Sequence, residues 1–345
     1  MKFPAKVCLF VAFSLLLAPV LRAADDLAKA LAAPIVTVVD KPAPSPTGDN
    51  HDYVSYARYY WPDPTKPDGL PYVSRDGQHN RAQVAAGDRD KIDRLVDNVV
   101  ALTAGWSRQH REDCARRAGV WLRAWFVTPA TRMKPALDYA QVRLGHNHNL
   151  GNAAGVLDTR AFADLVKALP LLQDSPALTP EETAAVRAWF AEYFHWLQTG
   201  NSAVGEHKAK NNHGSWYLVQ AVAIASYLGE TETARRLCEE DRARIAMQFE
   251  PDGRQPLELG RVDALHYSLF NLEAQLRLAQ LARGFGVELW HYTAPNGGSL
   301  KGGIDFLRPY NVAPERWPFP EQEKLAQGFL DEVIIAAAAL EIQKP

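Results

Sequence analysis

TPEETAAVRAWFAEYFHWLQTG, residues 179–200, decides the fold class. Thr179 reads as an N-cap, Pro180 takes the first helical position, and Glu181 and Glu182 fill a first turn that favours carboxylates. Val186, Trp189, Phe190, Tyr193 and Leu197 then recur at helical spacing, and Gly200 stops the helix. The same pattern fills the chain from Asp88 onward. Ile92, Leu95, Val96, Val99 and Leu102 share one face, as do Cys114, Ala118, Trp121, Leu122 and Trp125, with Pro129 ending that second helix. Further helices are expected from about Trp216 to Leu228, Glu232 to Phe249, Asp263 to Arg283 and Glu321 to Ile342. Only Ile35 to Val39 alternates as a strand would. Helices joined by loops, without βαβ alternation, predict an all-α architecture. Exact repeats are absent, which argues against a regular solenoid.

Residues 34–84 stand apart. They hold Pro34, Pro42, Pro44, Pro46, Pro62, Pro64, Pro67 and Pro71, and a dense aromatic group at Tyr53, Tyr56, Tyr59, Tyr60, Trp61 and Tyr72. The aromatic content argues against disorder, so this stretch reads as an ordered arm over the body. Ahead of it, Lys2 and Lys6 precede the apolar run Val7 to Val20, and Leu21-Arg22-Ala23 offers a cleavage point. That is the pattern of a secretory signal, too short for a comfortable membrane span. The expected organisation is a signal over 1–23, an arm over 24–84 and a helical body over 85–345. The expected location is periplasmic or secreted, with no membrane attachment after cleavage.

Hydrophobic residues make up 47% and charged residues 23%, as in an ordinary globular protein, and the net charge of −2 gives no electrostatic reason to expect nucleic acid as a partner. An acidic substrate would have to be held by a local group of Arg, His and Asn. Of the three cysteines, Cys8 leaves with the signal, and Cys114 and Cys238 are either one disulfide or two buried thiols. No cofactor is expected. His146 and His148 form a His-x-His pair, but no third ligand at metal-binding spacing accompanies them.

Two segments concentrate residues able to do chemistry. In Lys208-Ala209-Lys210-Asn211-Asn212-His213-Gly214-Ser215-Trp216-Tyr217, two amides and an imidazole precede an apolar helix. Asn211 or Asn212 would serve as an N-cap with His213 on the surface. Alternatively, amide and imidazole donors converge at a positively polarised helix start, an arrangement suited to a carboxylate. The second segment, Glu258-Leu259-Gly260-Arg261-Val262-Asp263-Ala264-Leu265-His266-Tyr267, places Tyr267 one turn into a helix with His266 beside it. A lone Tyr there reads as a core aromatic as readily as a catalytic one.

NNHGSWY, the later ELGRVDALHY, and YYWPDPTKPDGLPYVSRDG at residues 59–77 together resemble the alginate lyase family of helical polysaccharide lyases, over about residues 53–310. The resemblance implies an α/α toroid, an incomplete ring of antiparallel helix hairpins with an open cleft, acting without a required metal. It implies Asn212, His213, Arg261 and Tyr267 as catalytic residues. One residue fewer separates Arg261 from Tyr267 than in well-known polymannuronate lyases, and Gly214-Ser215 follows the His where those carry a bulkier pair. Both departures mark a divergent branch. Arg75, Tyr72, Trp216, His266, His148 and Asn149 are the candidate substrate-binding residues, with Tyr72 and Trp216 expected to stack on sugar rings.

Such a lyase acts on a 4-linked uronic acid. The sugar carboxylate is neutralised, a base removes the proton on carbon 5, and an acid protonates the departing oxygen on carbon 4. Asn212, helped by Arg261 or His213, suits the first task. Tyr267 suits the acid and, as phenolate, the base. A Tyr ordinarily titrates near 10, so the phenolate needs a neighbouring cation. In mannuronate and glucuronate the two reacting positions lie on one side, so one Tyr can serve both; guluronate needs a separate base such as His213. Polymannuronate and glucuronan therefore both stand as substrates. The rival readings are a glycoside hydrolase, which would need a carboxylic pair among Asp158, Glu258 and Asp263, and a non-catalytic polysaccharide-binding protein. Glu258 is expected instead to support the loop before the catalytic helix.

Overall fold

The computed structural model describes residues 26–41, 45–322 and 328–342. The expected signal, with Lys2, Lys6 and Ala23, lies outside them. Helices α1 (Arg89–Gln109) and α2 (Glu112–Leu122) form the first antiparallel pair, and His110 closes α1 in the left-handed region at φ 51°. After α2 a π-helical turn, Arg123–Val127, runs out ahead of Pro129 as expected. There follow α3 (Phe162–Ala168), α4 (Pro180–Thr199), α5 (Asn201–His207), α6 (Asn212–Leu228), α7 (Thr231–Gln248), α8 (Ala264–Arg283), α9 (Leu300–Leu307) and α10 (Phe329–Ile342). Short links between successive helices enforce antiparallel neighbours, and the pairs close into an incomplete α/α ring.

The local signals in 179–200 explain α4. The Thr179 hydroxyl accepts the Glu182 N–H at 3.2 Å, and the Glu182 carboxylate accepts the Thr179 N–H at 2.9 Å, a complete capping box. Its buried face carries Trp189, Phe190 and Tyr193 into an aromatic cluster with Phe126 and Phe162, where the Phe126 and Trp189 ring centres lie 4.7 Å apart. The hub of the ring is α6. Every residue from Gly214 to Ala225 is buried, because α3, α4, α5, α7 and α8 pack around it. A helix apolar on all sides is stable only in such a central place.

Residues 45–84 lie on this body and are pinned by two buried carboxylates. Asp88 accepts from Lys41 Nζ at 2.6 Å and from the Val54 N–H at 2.9 Å. Asp158, wholly buried, accepts from Tyr53, Ser55, Arg89 and Gln141. Strand β1 (Val54–Tyr56) pairs in parallel with β4 (Tyr139–Val142), and β2 (Tyr60–Trp61) pairs with β3 (Val73–Ser74) antiparallel.

Two expectations are corrected. Residues 35–39 form no strand. Side chains of the second helix and its π turn take the carbonyls there, with Trp125 Nε1 on Val36 O at 2.8 Å and Arg117 on Ala33 O, so no ladder forms. The last helix begins at Phe329 rather than Glu321, and Glu321 instead bridges to Asp263. Of the two alternatives for Cys114 and Cys238, the structure shows two separate buried thiols. Among the described residues, no helix is long and apolar enough to cross a membrane.

Candidate active site

A cleft of about 560 Å³ opens where the N-termini of α6 and α8 meet the 57–74 region, and Asn212, His213, Arg261, His266 and Tyr267 all line it. Residues more than fifty positions apart in sequence therefore share one wall. The 207–211 loop that presents Asn212 is held from behind by α7. Arg244 donates to the carbonyls of His207 and Ala209, and Gln248 Nε2 donates to those of Lys210 and Asn211, each at 3.1 Å. This accounts for Gly214. A Cβ there would lie 2.1 Å from the Arg244 guanidinium and 2.2 Å from the Ala209 carbonyl oxygen.

Asn211 stands at the N-cap of α6, yet its side chain makes no capping bond. The cap comes from Glu258, in the helical turn Pro256–Leu259. Its carboxylate accepts the Asn212 backbone N–H and the Asn212 side-chain Nδ2, both at 2.7 Å. Glu258 is almost fully buried, and burial pushes its carboxyl above the ordinary range against the pull of the Asn212 bonds. The two bonds fix the direction of the Asn212 amide and leave its Oδ1 buried without a partner. His213 is oriented in the same manner: its Nδ1 lies 2.6 Å from the buried carboxylate of Glu206 on α5. Burial also raises the Glu206 carboxyl, with the His213 bond opposing.

At the start of α8 the Glu321 carboxylate accepts the Leu265 N–H at 2.8 Å, and Asp263 accepts the Gln322 N–H at 2.9 Å. Tyr267 then faces the cleft, and its hydroxyl is 2.7 Å from that of Tyr59. Burial first, and the Tyr59 hydrogen bond next, raise Tyr267 well above a normal tyrosine, so the free cleft holds it protonated. Arg261 opposes this shift with its guanidinium 3.7 Å from the Tyr267 ring centre. Its fork is engaged by Asp76, at 2.7 and 3.1 Å, and that bond raises the Arg261 pKa despite burial. In the free protein, then, Arg261 covers the tyrosine ring and pairs with Asp76.

The structure does not bring every candidate into the cleft. Trp216 is 3% exposed, with its Nε1 on the Phe270 carbonyl at 3.2 Å, so it has no open face for a sugar. Tyr72 lies outside the lining, its carbonyl bonded by His146 Nε2 at 2.7 Å. Arg75 also lies outside it, over Trp61 at 5.7 Å. His148 and Asn149 are exposed in a left-handed turn, where Asn149 Oδ1 accepts the Gly145 N–H at 2.8 Å, a structural use of the side chain. Nothing in the sequence pattern marks Tyr59 as a site residue, although it opens the 59–77 stretch. Glu206, Arg58, Arg143 and Arg160 are equally unmarked, because no local pattern singles out a side chain that acts from another element. The three carboxylates open to a hydrolase reading are engaged as acceptors: Asp158 by four donors, Glu258 by Asn212 and Asp263 by the Gln322 amide.

The chain matches the alginate lyase family over residues 37–317. It resembles an alginate lyase from Bacteroides ovatus, at 35% identity and a TM-score of 0.90, across 93% of this chain and 85% of that one. Alginate lyase A1-III from Sphingomonas species A1 shares the fold at 16% identity and a TM-score of 0.58, over 91% and 82% of the two chains. A histidine-to-alanine variant of A1-III, complexed with a tetrasaccharide, does so at 15% identity and a TM-score of 0.55, over 90% and 83%. No curated protein matches the chain. With the family match covering most of its length, the chain belongs to the alginate lyase family and is a polysaccharide lyase.

Proposed function

We propose that the protein cleaves a 4-linked uronic acid polymer, polymannuronate in alginate or glucuronan, by β-elimination that leaves an unsaturated uronate at the new end. The observation that carries this reading is the shared cleft of Asn212, His213, Arg261 and Tyr267. Asn212, its amide fixed by Glu258, hydrogen-bonds the sugar carboxylate and steadies the charge that spreads onto it as carbon 5 loses its proton. Tyr267 gives its proton to the departing oxygen on carbon 4. Where carbon-5 hydrogen and leaving oxygen lie on one side, Tyr267 first loses its resting proton to solvent; the phenolate, stabilised by the Arg261 charge over its ring, takes the carbon-5 proton and then delivers it to the oxygen leaving carbon 4. Where they lie on opposite sides, His213, oriented by Glu206, takes the proton.

An exported enzyme suits a polymer found outside the cell, so we propose a periplasmic or secreted location. Ultraviolet absorbance of unsaturated products tests the function. Polymannuronate or glucuronan should give rising absorbance, while new reducing ends without absorbance would mean hydrolysis. Binding without either product would mean a carbohydrate-binding protein.

A further inference from the structure

Five arginines line the cleft: Arg58, Arg89, Arg143, Arg160 and Arg261. Arg89 is paired with Asp158 at 3.2 Å and Arg261 with Asp76 at 2.7 Å. Arg58, Arg143 and Arg160 have no carboxylate at ion-pair distance among the described residues, so no side chain pairs directly with these three cations. Arg160 is the most constrained of the three. Its guanidinium lies 5.7 Å from the ring centres of both Trp216 and Phe270, and its one hydrogen bond is a long 3.5 Å contact to Leu157 O. These cation–π contacts hold the guanidinium against the wall while most of its N–H donors stay unused.

The nearby acids are not its partners. Glu273 is held by Arg277 at 2.9 Å, and it and Asp93 act on Arg160 only through space. Burial, then the like charge of Arg89, pull the Arg160 pKa below its ordinary value. An incoming anion would relieve that strain. Phe270 follows Tyr267 by one turn of α8, so the two side chains are about 5–6 Å apart at Cβ. Arg160, in cation–π contact with Phe270, therefore lines the same wall of the cleft as the proton donor.

We propose that Arg160 binds the carboxylate of a sugar next to the one undergoing elimination, making the enzyme selective for consecutive uronates. This rests on the uronate-lyase reading above and adds a second recognised carboxylate. The competing account is that Arg160 only props the Trp216–Phe270 wall.

The test measures binding by calorimetry in a Tyr267→Phe background, so that turnover plays no part. The probes are polymannuronate and glucuronan, each intact and with part of its carboxyl groups reduced to alcohols. Arg160→Gln should weaken binding of the intact polymer about tenfold or more. It should change binding of the reduced polymer far less, and the salt dependence of binding should become shallower. Arg160→Lys, which keeps the charge but loses the fork, should fall between. Equal weakening for intact and reduced polymer, or no weakening, would overturn the proposal in favour of the wall role. If the intact polymers do not bind at all, the substrate reading fails with it. Binding that follows this pattern while Tyr267-containing enzyme makes no unsaturated product would uphold Arg160 and overturn the lyase reading of these polymers.

Discussion

Tyr267 keeps its proton in the free cleft because burial and the Tyr59 hydroxyl both disfavour the phenolate, while Arg261 is partly neutralised by Asp76. Activity on polymannuronate, which uses the phenolate as base, should therefore keep rising with pH into the alkaline range. Asp76 itself raises the Tyr267 pKa. Asp76→Asn removes that negative charge and leaves Arg261 acting on the ring with less opposition. The pKa of Tyr267 falls, and the alkaline limb of kcat/KM should move to lower pH. A limb that stays in place, or moves upward, would show that Asp76 does not tune the tyrosine. The role of Tyr267 was legible only through its neighbours. The Tyr itself reads as a core aromatic, and its hydroxyl partner Tyr59 lies 208 residues away in sequence, where no local periodicity reaches.

Elements were legible where local chemistry decides them. The Thr179 cap, Pro180 and the apolar face of α4 all act within a few residues, and that helix forms where expected. Ends governed by distant groups were not legible. Asn211 looks like a cap, but Glu258 caps α6, and Glu321 caps α8 rather than opening a helix. At 35–39 the neighbours Thr37 and Val38 are both buried against the body, so burial there does not alternate as it would in a strand. Between α7 and α8 lies a buried polar layer in which Asp241 takes only a 3.2 Å bond from Gln275, with its Oδ2 unpaired. Burial raises Asp241 from 3.8 to about 7. Its folded pKa exceeds the unfolded one, so its contribution is complete below about pH 4 and is lost at about 1.4 kcal/mol per pH unit as pH rises toward 7. Asp241→Asn should therefore raise the melting temperature relative to the parent more at pH 8 than at pH 5. Equal differences at both values would contradict the burial argument.

At the scale of the molecule, the cleft exists because the proline- and tyrosine-rich region is fastened to the helical ring. Asp158 is the main fastening, joining Tyr53 and Ser55 to Arg89 and Gln141. Asp158→Ala leaves Arg89 without its buried partner, a loss of roughly 3–5 kcal/mol. It should lower the melting temperature and expose residues 45–84 to limited proteolysis; an unchanged digestion pattern would mean that other contacts suffice. The ring's helical content could be read from periodicity. Its closure into a cleft could not, since it depends on α6 being buried on every side and on contacts between segments far apart. The central claim, elimination through Tyr267 in that cleft, is tested most directly by ultraviolet absorbance with polymannuronate and glucuronan, comparing the native protein with Tyr267→Phe. The account predicts absorbance that rises with at least one polymer and falls by about a thousandfold or more in the variant. Full activity of Tyr267→Phe, or no unsaturated product from either polymer, would contradict it.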